Sequence, residues 1–367
     1  MKALHVINSL GMGGAERLLS FLLPALNATD SCTADLLILT GASTALVEDL
    51  QRKGIKILTL KESRSLYSPL NIFALRPFFD GRYDVIHGHL FPTQYFLTIA
   101  KKLSHSDTKL VFTEHSTSNR RIASPLYSVV DRAMYLGLDQ LICITEEIQG
   151  IYHSYQPKLV GKTTVIHNGL PIKEIQESVP VDLRTISGDF SPGKKYILHV
   201  AGFKDPKDQE TLIRAMAHLP AHFICLFAGD GVRRKLCEEL AKELQVDDRI
   251  AFLGNRSDIY SLQKSVDYIA LSTHYEGLSL SCIEGMASGK PFLASDVKGV
   301  RNLVGGAGVL FRESDPKDLA DKILELDENK TYRESIIERC MARASEYSID
   351  ECARRHFTLY QKLLDEK

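Results

Sequence analysis

Short apolar runs alternate with helix-period patterns along the whole chain. Ala3–Ile7 has the composition of a buried strand. Glycines follow, and Leu18, Leu19, Leu22, Leu23 and Leu26 then recur on a helical period within Glu16–Leu26. Leu36–Leu39, Ile55–Leu60, Asp84–His87, Lys109–Thr113, Gln140–Ile144 and Thr163–Ile166 read as further strands with helical segments between them. From Leu170 to Lys194 the pattern dissolves into a polar stretch punctuated by Pro171, Pro180, Gly188, Pro192 and Gly193, which reads as a linker. At Tyr196–Val200 the alternation restarts. Helix Gln209–His218, strand His222–Phe227, helix Arg233–Leu244 and strand Arg249–Leu253 follow. A short helix near Ile259, strand Tyr268–Ser272, helix Leu280–Ser288 and strand Pro291–Ala294 come next. Helices near Pro316–Leu326, Thr331–Glu346 and Ile349–Leu364 close the chain. Strands alternating with helices predict α/β architecture with parallel, doubly wound, Rossmann-like sheets. The expected division is a first domain over 1–180, a second over 181–345, and a last helix over 346–367 that packs back toward the first domain.

Composition narrows the function classes. A chain of 367 residues fits two domains, and 44% hydrophobic with 25% charged residues excludes a disordered chain. The net charge of −1 argues against a nucleic-acid partner. No apolar run approaches the roughly 20 residues that span a bilayer, and the amino terminus reaches Asn8, Ser9 and glycines too soon for a signal-peptide core. Seven scattered cysteines, with no Cys-x-x-Cys, fit neither a disulfide framework nor a zinc ribbon, so a reducing cytoplasm is expected. Residues 1–180 carry 18 Lys+Arg and 16 Asp+Glu, leaving 27 and 30 for the rest, so the net charges are +2 and −3.

Open parallel sheets bind ligands at the carboxyl ends of their strands, so residues just past strands are the candidates. Gly11-Met12-Gly13-Gly14-Ala15-Glu16 follows the first strand, but a dinucleotide fingerprint starting at Gly11 needs a small residue where Glu16 stands. What remains is a small-residue turn whose amides, at a helix start, suit a phosphate or a sugar hydroxyl. His115 follows a strand and is a candidate to face a ligand; His87 and His89 are weaker candidates of the same kind. Lys207 stands at an expected helix start, where a cation opposes the helix dipole and a bound anion would offset it. Glu276-Gly277-Leu278-Ser279-Leu280-Ser281-Cys282-Ile283-Glu284 joins a strand to a helix. Its turn can cradle phosphate, and Glu284, inside an apolar helix, needs a partner that ligand hydroxyls can provide.

Glu276-x7-Glu284 resembles the Glu-x7-Glu motif of retaining, family-4-type glycosyltransferases of the two-domain GT-B fold. Gly13-Gly14-Ala15-Glu16-Arg17 is similar to their first-loop glycine motif. Thr113-Glu114-His115-Ser116 resembles their Thr-x-His segment, and Val165-Ile166-His167-Asn168-Gly169 the stretch closing the first domain. Ala228-Gly229-Asp230-Gly231, Phe252-Leu253-Gly254-Asn255-Arg256 and Gly289-Lys290-Pro291 resemble donor-domain loops. The resemblance implies a nucleotide-diphosphate sugar as donor, UDP ahead of GDP, and no further cofactor. It assigns Glu284 to the ribose hydroxyls, Glu276 to the transferred sugar, and Lys207 to the diphosphate leaving group. The amides of Gly277, Leu278, Ser279, Leu280 and Ser281 would hold sugar and phosphate. Gly13 and Gly14 would border the phosphates, His115 would lie near the reacting sugar, and Asn255 and Arg256 would flank the base.

Two positions depart from the family pattern. The arginine usual five residues before the lysine is Gly202 here, and Lys204 is the candidate substitute. The usual Gly-x-x-Glu reads Gly299-Val300-Arg301-Asn302. The chain contains no Asp-x-Asp, so metal-independent catalysis is expected. The resemblance further implies a hexosyl- or N-acetylhexosaminyltransferase acting on a glycan or lipid-linked acceptor in surface polysaccharide synthesis, with domain closure around the substrates. Arg64, Arg76, Arg82, Lys101, Lys102, Arg120 and Arg121 could serve a peripheral contact with the inner membrane face, although solvated surface charge is the preferred reading. The rivals are a nucleotide-sugar epimerase of the same fold, a phosphorylase, or a non-catalytic sugar-nucleotide binding subunit, the last favoured only by Gly202.

Overall fold

The computed structural model describes residues 1–11, 13–29, 31–41, 44–60, 65–115, 125–185 and 193–366, with backbone only at 125, 126 and 185. Met12, Arg64, Ser116, Arg120 and Arg121, and the linker residues Gly188 and Pro192, lie outside them. The chain forms two compact units. Unit 1 comprises Met1–Gly169 with Ile349–Lys367, and unit 2 comprises Leu170–Ser348.

Among the described residues, unit 1 is built on seven strands. They are β1 (Lys2–Ile7), β2 (Thr33–Ile38), β3 (Ile57–Thr59), β4 (Val85–His89), β5 (Lys109–Glu114), β6 (Gln140–Cys143) and β7 (Thr163–Val165). All are parallel, in the order β3-β2-β1-β4-β5-β6-β7. The chain moves outward from β1 to β3, then returns to place β4 on the other side of β1. Strand order therefore switches between β1 and β4, the place where doubly wound sheets open a crevice at their carboxyl ends. Helix Gly14–Asn27 covers the sheet with the leucine stripe at 18, 19, 22, 23 and 26, all buried. Each such leucine contributes roughly 1.5–3 kcal/mol. Helix Ile349–Asp365 joins the same core through Cys352, Ala353, Tyr360 and Leu363.

Unit 2 repeats the plan with β8 (Lys195–Val200), β9 (Phe223–Ala228), β10 (Ile250–Gly254), β11 (Tyr268–Leu271), β12 (Phe292–Ser295) and β13 (Val309–Phe311). The order is β10-β9-β8-β11-β12-β13, again all parallel. The order switches between β8 and β11. The two doubly wound parallel sheets are the expected fold class. The sequence reading lacks β13, three residues long, the short helix Arg301–Val304, and, within the stretch read as a linker, the turn Leu183–Thr185 and helix Ile172–Glu177. That helix buries Ile172 and Ile175 and packs against helix Leu280–Ala287.

Candidate active site

The switch point of unit 2 lies between the loops that follow β8 and β11, and it brings Lys207 and Glu276 together. The Lys207 ammonium donates to Glu276 Oε1, and the two side chains are only 15% and 12% exposed. Backbone holds both loops in place. Lys207 and Thr273 form an isolated antiparallel bridge, and His274 N–H donates to the Pro206 carbonyl at 2.9 Å. Behind Glu276 runs the loop after β12. Gly299, at φ +84°, lies so close that a Cβ there would overlap the Glu276 carbonyl. The dipole argument for Lys207 is corrected by this geometry. Helix Gln209–Met216 is capped by Asp208, whose carboxylate accepts from Thr211 N–H at 3.2 Å and Thr211 Oγ1–H at 2.5 Å. The anion at that helix end is built in, and Lys207 turns away to its own carboxylate. It is not a solvated lysine.

Past Glu276, helix Leu280–Ala287 starts at Ser279 with no side-chain hydrogen bond capping it. Gly277 has open space on its Cβ side, while Leu278 and Leu280 are half-buried and Ser279 is buried. The helix start, with no side-chain cap, presents amide donors and the positive end of the helix dipole, the arrangement that attracts an anion. Glu284 lies one turn further on and is 1% exposed. Gly285 explains the depth of this helix: a Cβ there would overlap the Phe292 ring. Burial pushes the Cys282 thiol up to about 12, so it is not a nucleophile at neutral pH.

The other unit 2 candidates are distributed around this point. Gly202 sits just past β8, and the exposed Lys204 folds its stem beside it: a Cβ on Gly202 would meet Lys204 Cε at 3.8 Å. Asn255 is exposed past β10. Arg256 is held by Asp258 in a bidentate pair of 2.8 and 2.6 Å, which lowers the Asp258 carboxyl. Sequence reasoning passed over Arg233. It bridges Asp205 and Glu210, tying the loop after β9 to the loop that carries Lys207.

In unit 1, helix Gly14–Asn27 also starts without a side-chain cap, at Gly13. Gly14 faces open space, but a Cβ on Gly13 would collide with the Glu16 carboxylate, which curls back over the turn. The loops at this switch point are pinned together. Asn8 Nδ2 donates to the Phe91 carbonyl at 2.7 Å, and Thr93 Oγ1 donates to Asn8 Oδ1 at 2.6 Å. His115 follows β5 directly. Its neighbour Glu114 anchors the strand end by accepting from Tyr135 and Tyr152 hydroxyls at 2.8 and 2.6 Å. His115 is half-buried, with Nε2 3.2 Å from His89 Nδ1.

His87 and His89 are corrected. Both are completely buried rather than presented beyond the strand ends; with His5 they form a cluster whose ligand-capable atoms lie within 4.8 Å of one another. The signal was register. β1 and β4 are neighbours with His5 opposite His87, and His89 is two residues on, hence on the same face. Burial, reinforced by the neighbouring imidazoles, pushes His5 down to about 3 and holds His87 and His89 well below the usual range. His356, on the last helix, is pushed down to about 4 by burial.

Of the basic residues weighed for membrane contact, Lys101 pairs with Asp139 at 2.5 Å and Arg82 with Asp80 at 2.6 Å. Among the described residues, no helix is long and apolar enough to cross a membrane.

Comparison with known proteins divides the chain into matching halves. Residues 12–174 match the model described as Glycosyltransferase Family 4, and residues 186–342 match Glycosyl transferases group 1. An uncharacterized glycosyltransferase of Methanocaldococcus jannaschii, MJ1178, is 28% identical over 62% of this chain and 60% of its own length. The N-acetylgalactosamine-N,N'-diacetylbacillosaminyl-diphospho-undecaprenol 4-alpha-N-acetylgalactosaminyltransferase of Campylobacter jejuni is 23% identical over 95% of this chain and 96% of its own. Among solved structures, Anabaena Alr3699/HepE in complex with UDP and glucose superposes with a TM-score of 0.81 at 22% identity, covering 98% of this chain and 99% of that one. At that identity the likeness shows the fold, which is GT-B.

Proposed function

We propose that this chain, a glycosyltransferase of the GT-B type, moves a hexosyl or N-acetylhexosaminyl group from a UDP-sugar to a glycan or lipid-linked acceptor, with retention of configuration and without a metal ion. The observation that carries the reading is the Lys207–Glu276 pair, fixed by backbone at the switch point of unit 2 beside an uncapped helix start. The hard step is departure of the diphosphate. A cation and amide dipoles already in place need no reorganisation as charge grows on the leaving oxygen. Lys207 and the Gly277–Ser281 amides take that role, Glu276 holds the transferred sugar, and Glu284 accepts from the ribose hydroxyls. In this reading His115 contacts the transferred sugar, and the acceptor attacks the face that the diphosphate vacates, the Glu276 carboxylate being held by Lys207 rather than free to act as a nucleophile. UDP and glucose in the Anabaena structure support the donor class, and the Campylobacter relative's diphospho-undecaprenol acceptor supports the acceptor class.

The test is acceptor-dependent turnover. The purified protein is given UDP-sugars with a panel of glycan and lipid-linked acceptors, in EDTA, and the anomeric configuration of the product is read by NMR. An α-linked product from an α-linked donor, undiminished by chelator, is expected. Free UDP with an epimerised sugar and no acceptor requirement identifies an epimerase instead. Binding without turnover on any acceptor identifies a binding subunit. A loss of more than about tenfold in EDTA, restored by Mn²⁺, refutes metal independence.

A further inference from the structure

Beneath the switch point of unit 1, a continuous chain of hydrogen bonds links His115 to the carboxyl-terminal helix. His115 Nε2 meets His89 Nδ1 at 3.2 Å, and His89 Nε2 meets His5 Nδ1 at 3.0 Å. His5 Nε2 meets the Tyr360 hydroxyl at 3.4 Å. The same hydroxyl meets His87 Nδ1 at 2.5 Å, and His87 Nε2 meets Thr113 Oγ1 at 2.7 Å. All members except His115 are buried. We propose that this chain fixes the tautomer of His115, so that His89, His5 and Tyr360 are positioning residues for the sugar contact assigned to His115 above, on which the functional part of the inference rests.

The argument is one of proton counting. A neutral imidazole has one N–H and one bare nitrogen, and tyrosine has one O–H. Each link therefore dictates the next, and the chain has two directions. In one, Tyr360 donates to His5, His5 donates from Nδ1 to His89, and His89 donates from Nδ1 to His115; His115 then carries its proton on Nδ1. In the other, every donor becomes an acceptor, and His115 Nδ1 is bare. That Nδ1 has no partner among the described residues, so it is the open end of the chain. Whether it offers a donor or an acceptor is decided jointly with a hydroxyl on a helix 245 residues further along the chain, 360 less 115. Burial keeps the rings neutral, which the counting requires.

The rival reading is a metal site at His5, His87 and His89. Two facts argue against it. All six ring nitrogens of these histidines already have hydrogen-bond partners within the chain. The group also contains no carboxylate to balance a divalent charge in a fully buried place.

Nitrogen-15 histidine NMR on the full chain without substrates reads the tautomer directly, with the His115 signals identified by their loss in His115→Gln. Tyr360→Phe removes the central hydroxyl and keeps the ring. His5→Asn keeps a polar group toward His89 and cuts the link to Tyr360, and it serves if Tyr360→Phe does not fold. A single His115 tautomer is expected in the parent protein, and a mixture or the opposite tautomer in either variant. Turnover should fall roughly 10- to 100-fold with UDP affinity unchanged, as for other groups that orient a reacting residue from behind. An unmoved His115 tautomer in a folded variant overturns the inference, as does stoichiometric Zn²⁺ uptake that displaces the ring N–H signals. A moved tautomer with unchanged turnover upholds the chain and counts against the role given to His115 above.

Discussion

The two switch points share one topology and solve opposite electrostatic problems. In unit 2 the loops after β8 and β11 present charge: a lysine and a carboxylate paired with little exposure, beside free amide donors at a helix start. In unit 1 the corresponding strands, β1 and β4, present histidines that burial holds neutral. On the proposed function, charge suits a place that stabilises a leaving diphosphate. A neutral, directional network suits a place that must orient one ring without adding a field of its own. The same α/β plan therefore does not imply the same chemistry, and only side chains past the strands distinguish the two.

Acid separates the units most strongly. An unfolded imidazole titrates near 6.5, whereas folded His5 stays neutral down to about 3 and His356 down to about 4, with His87 and His89 also depressed. Below pH 6.5 the unfolded chain thus binds protons that the folded chain refuses, and stability falls as pH drops. At pH 5 the loss is about 2 kcal/mol for each of His5 and His356. His87, His89 and His115 shift in the same direction, so the loss falls mainly on unit 1. In unit 2, among the described residues, His199 is the buried ring lowered in this way, to about 4. Hydrogen exchange between pH 7 and 5 should show unit 1 peptides losing protection well before those of unit 2. Equal loss in both units would mean that the buried histidines do not control acid stability.

Lys207→Ala tests the charged side of the contrast. Removing a preorganised cation at a leaving group typically costs about 10²–10³ in rate, falling on kcat. The variant should also melt lower, because it strands Glu276 at 12% exposure, a penalty of about 1–3 kcal/mol. A fully active, more stable variant would show that the pair is structural and misassigned. Glu284→Ala should act on binding instead. Losing a charge-assisted bond to ribose, worth roughly 1.5–3 kcal/mol, weakens UDP about 10- to 150-fold by calorimetry. Unchanged UDP affinity in the folded variant removes Glu284 from the nucleotide site.

The contrast also explains what the sequence could reveal. Glu276 and Glu284 lie on one continuous strand-to-helix segment, so spacing alone places both beside the helix start. Lys207 was legible as a candidate but for an incomplete reason. Its dipole conflict is already answered by the neighbouring Asp208, and its true partner lies 69 residues away. The histidine chain joins segments separated by 84 and 273 residues, and without strand order nothing in the sequence links His5 to His87 or either to Tyr360. The long periodic helices were legible throughout, whereas β13 and helix Ile172–Glu177 are too short for a period to emerge.

The smallest expected effect concerns the arginine that Gly202 lacks. A side chain is sterically admissible there, since a Cβ would make only ordinary contacts, with the Asp230 carbonyl at 3.5 Å and Lys204 Cε at 3.8 Å. Those contacts place the Lys204 stem where an arginine at 202 would begin, which fits Lys204 serving as its replacement. Lys204 is exposed, so water screens its charge and its contribution is small. Lys204→Ala should weaken UDP binding by about two- to fivefold, and Gly202→Arg should strengthen it by a similar factor. The two sites touch, so they should not be additive. In the Gly202→Arg background, Lys204→Ala should cost almost nothing, because the guanidinium has taken over the phosphate. Additive effects would mean that the two cations act at different places. No effect from either change would mean that residues 202–204, at the start of the loop after β8, do not reach the diphosphate, leaving the grip to Lys207 further along that loop.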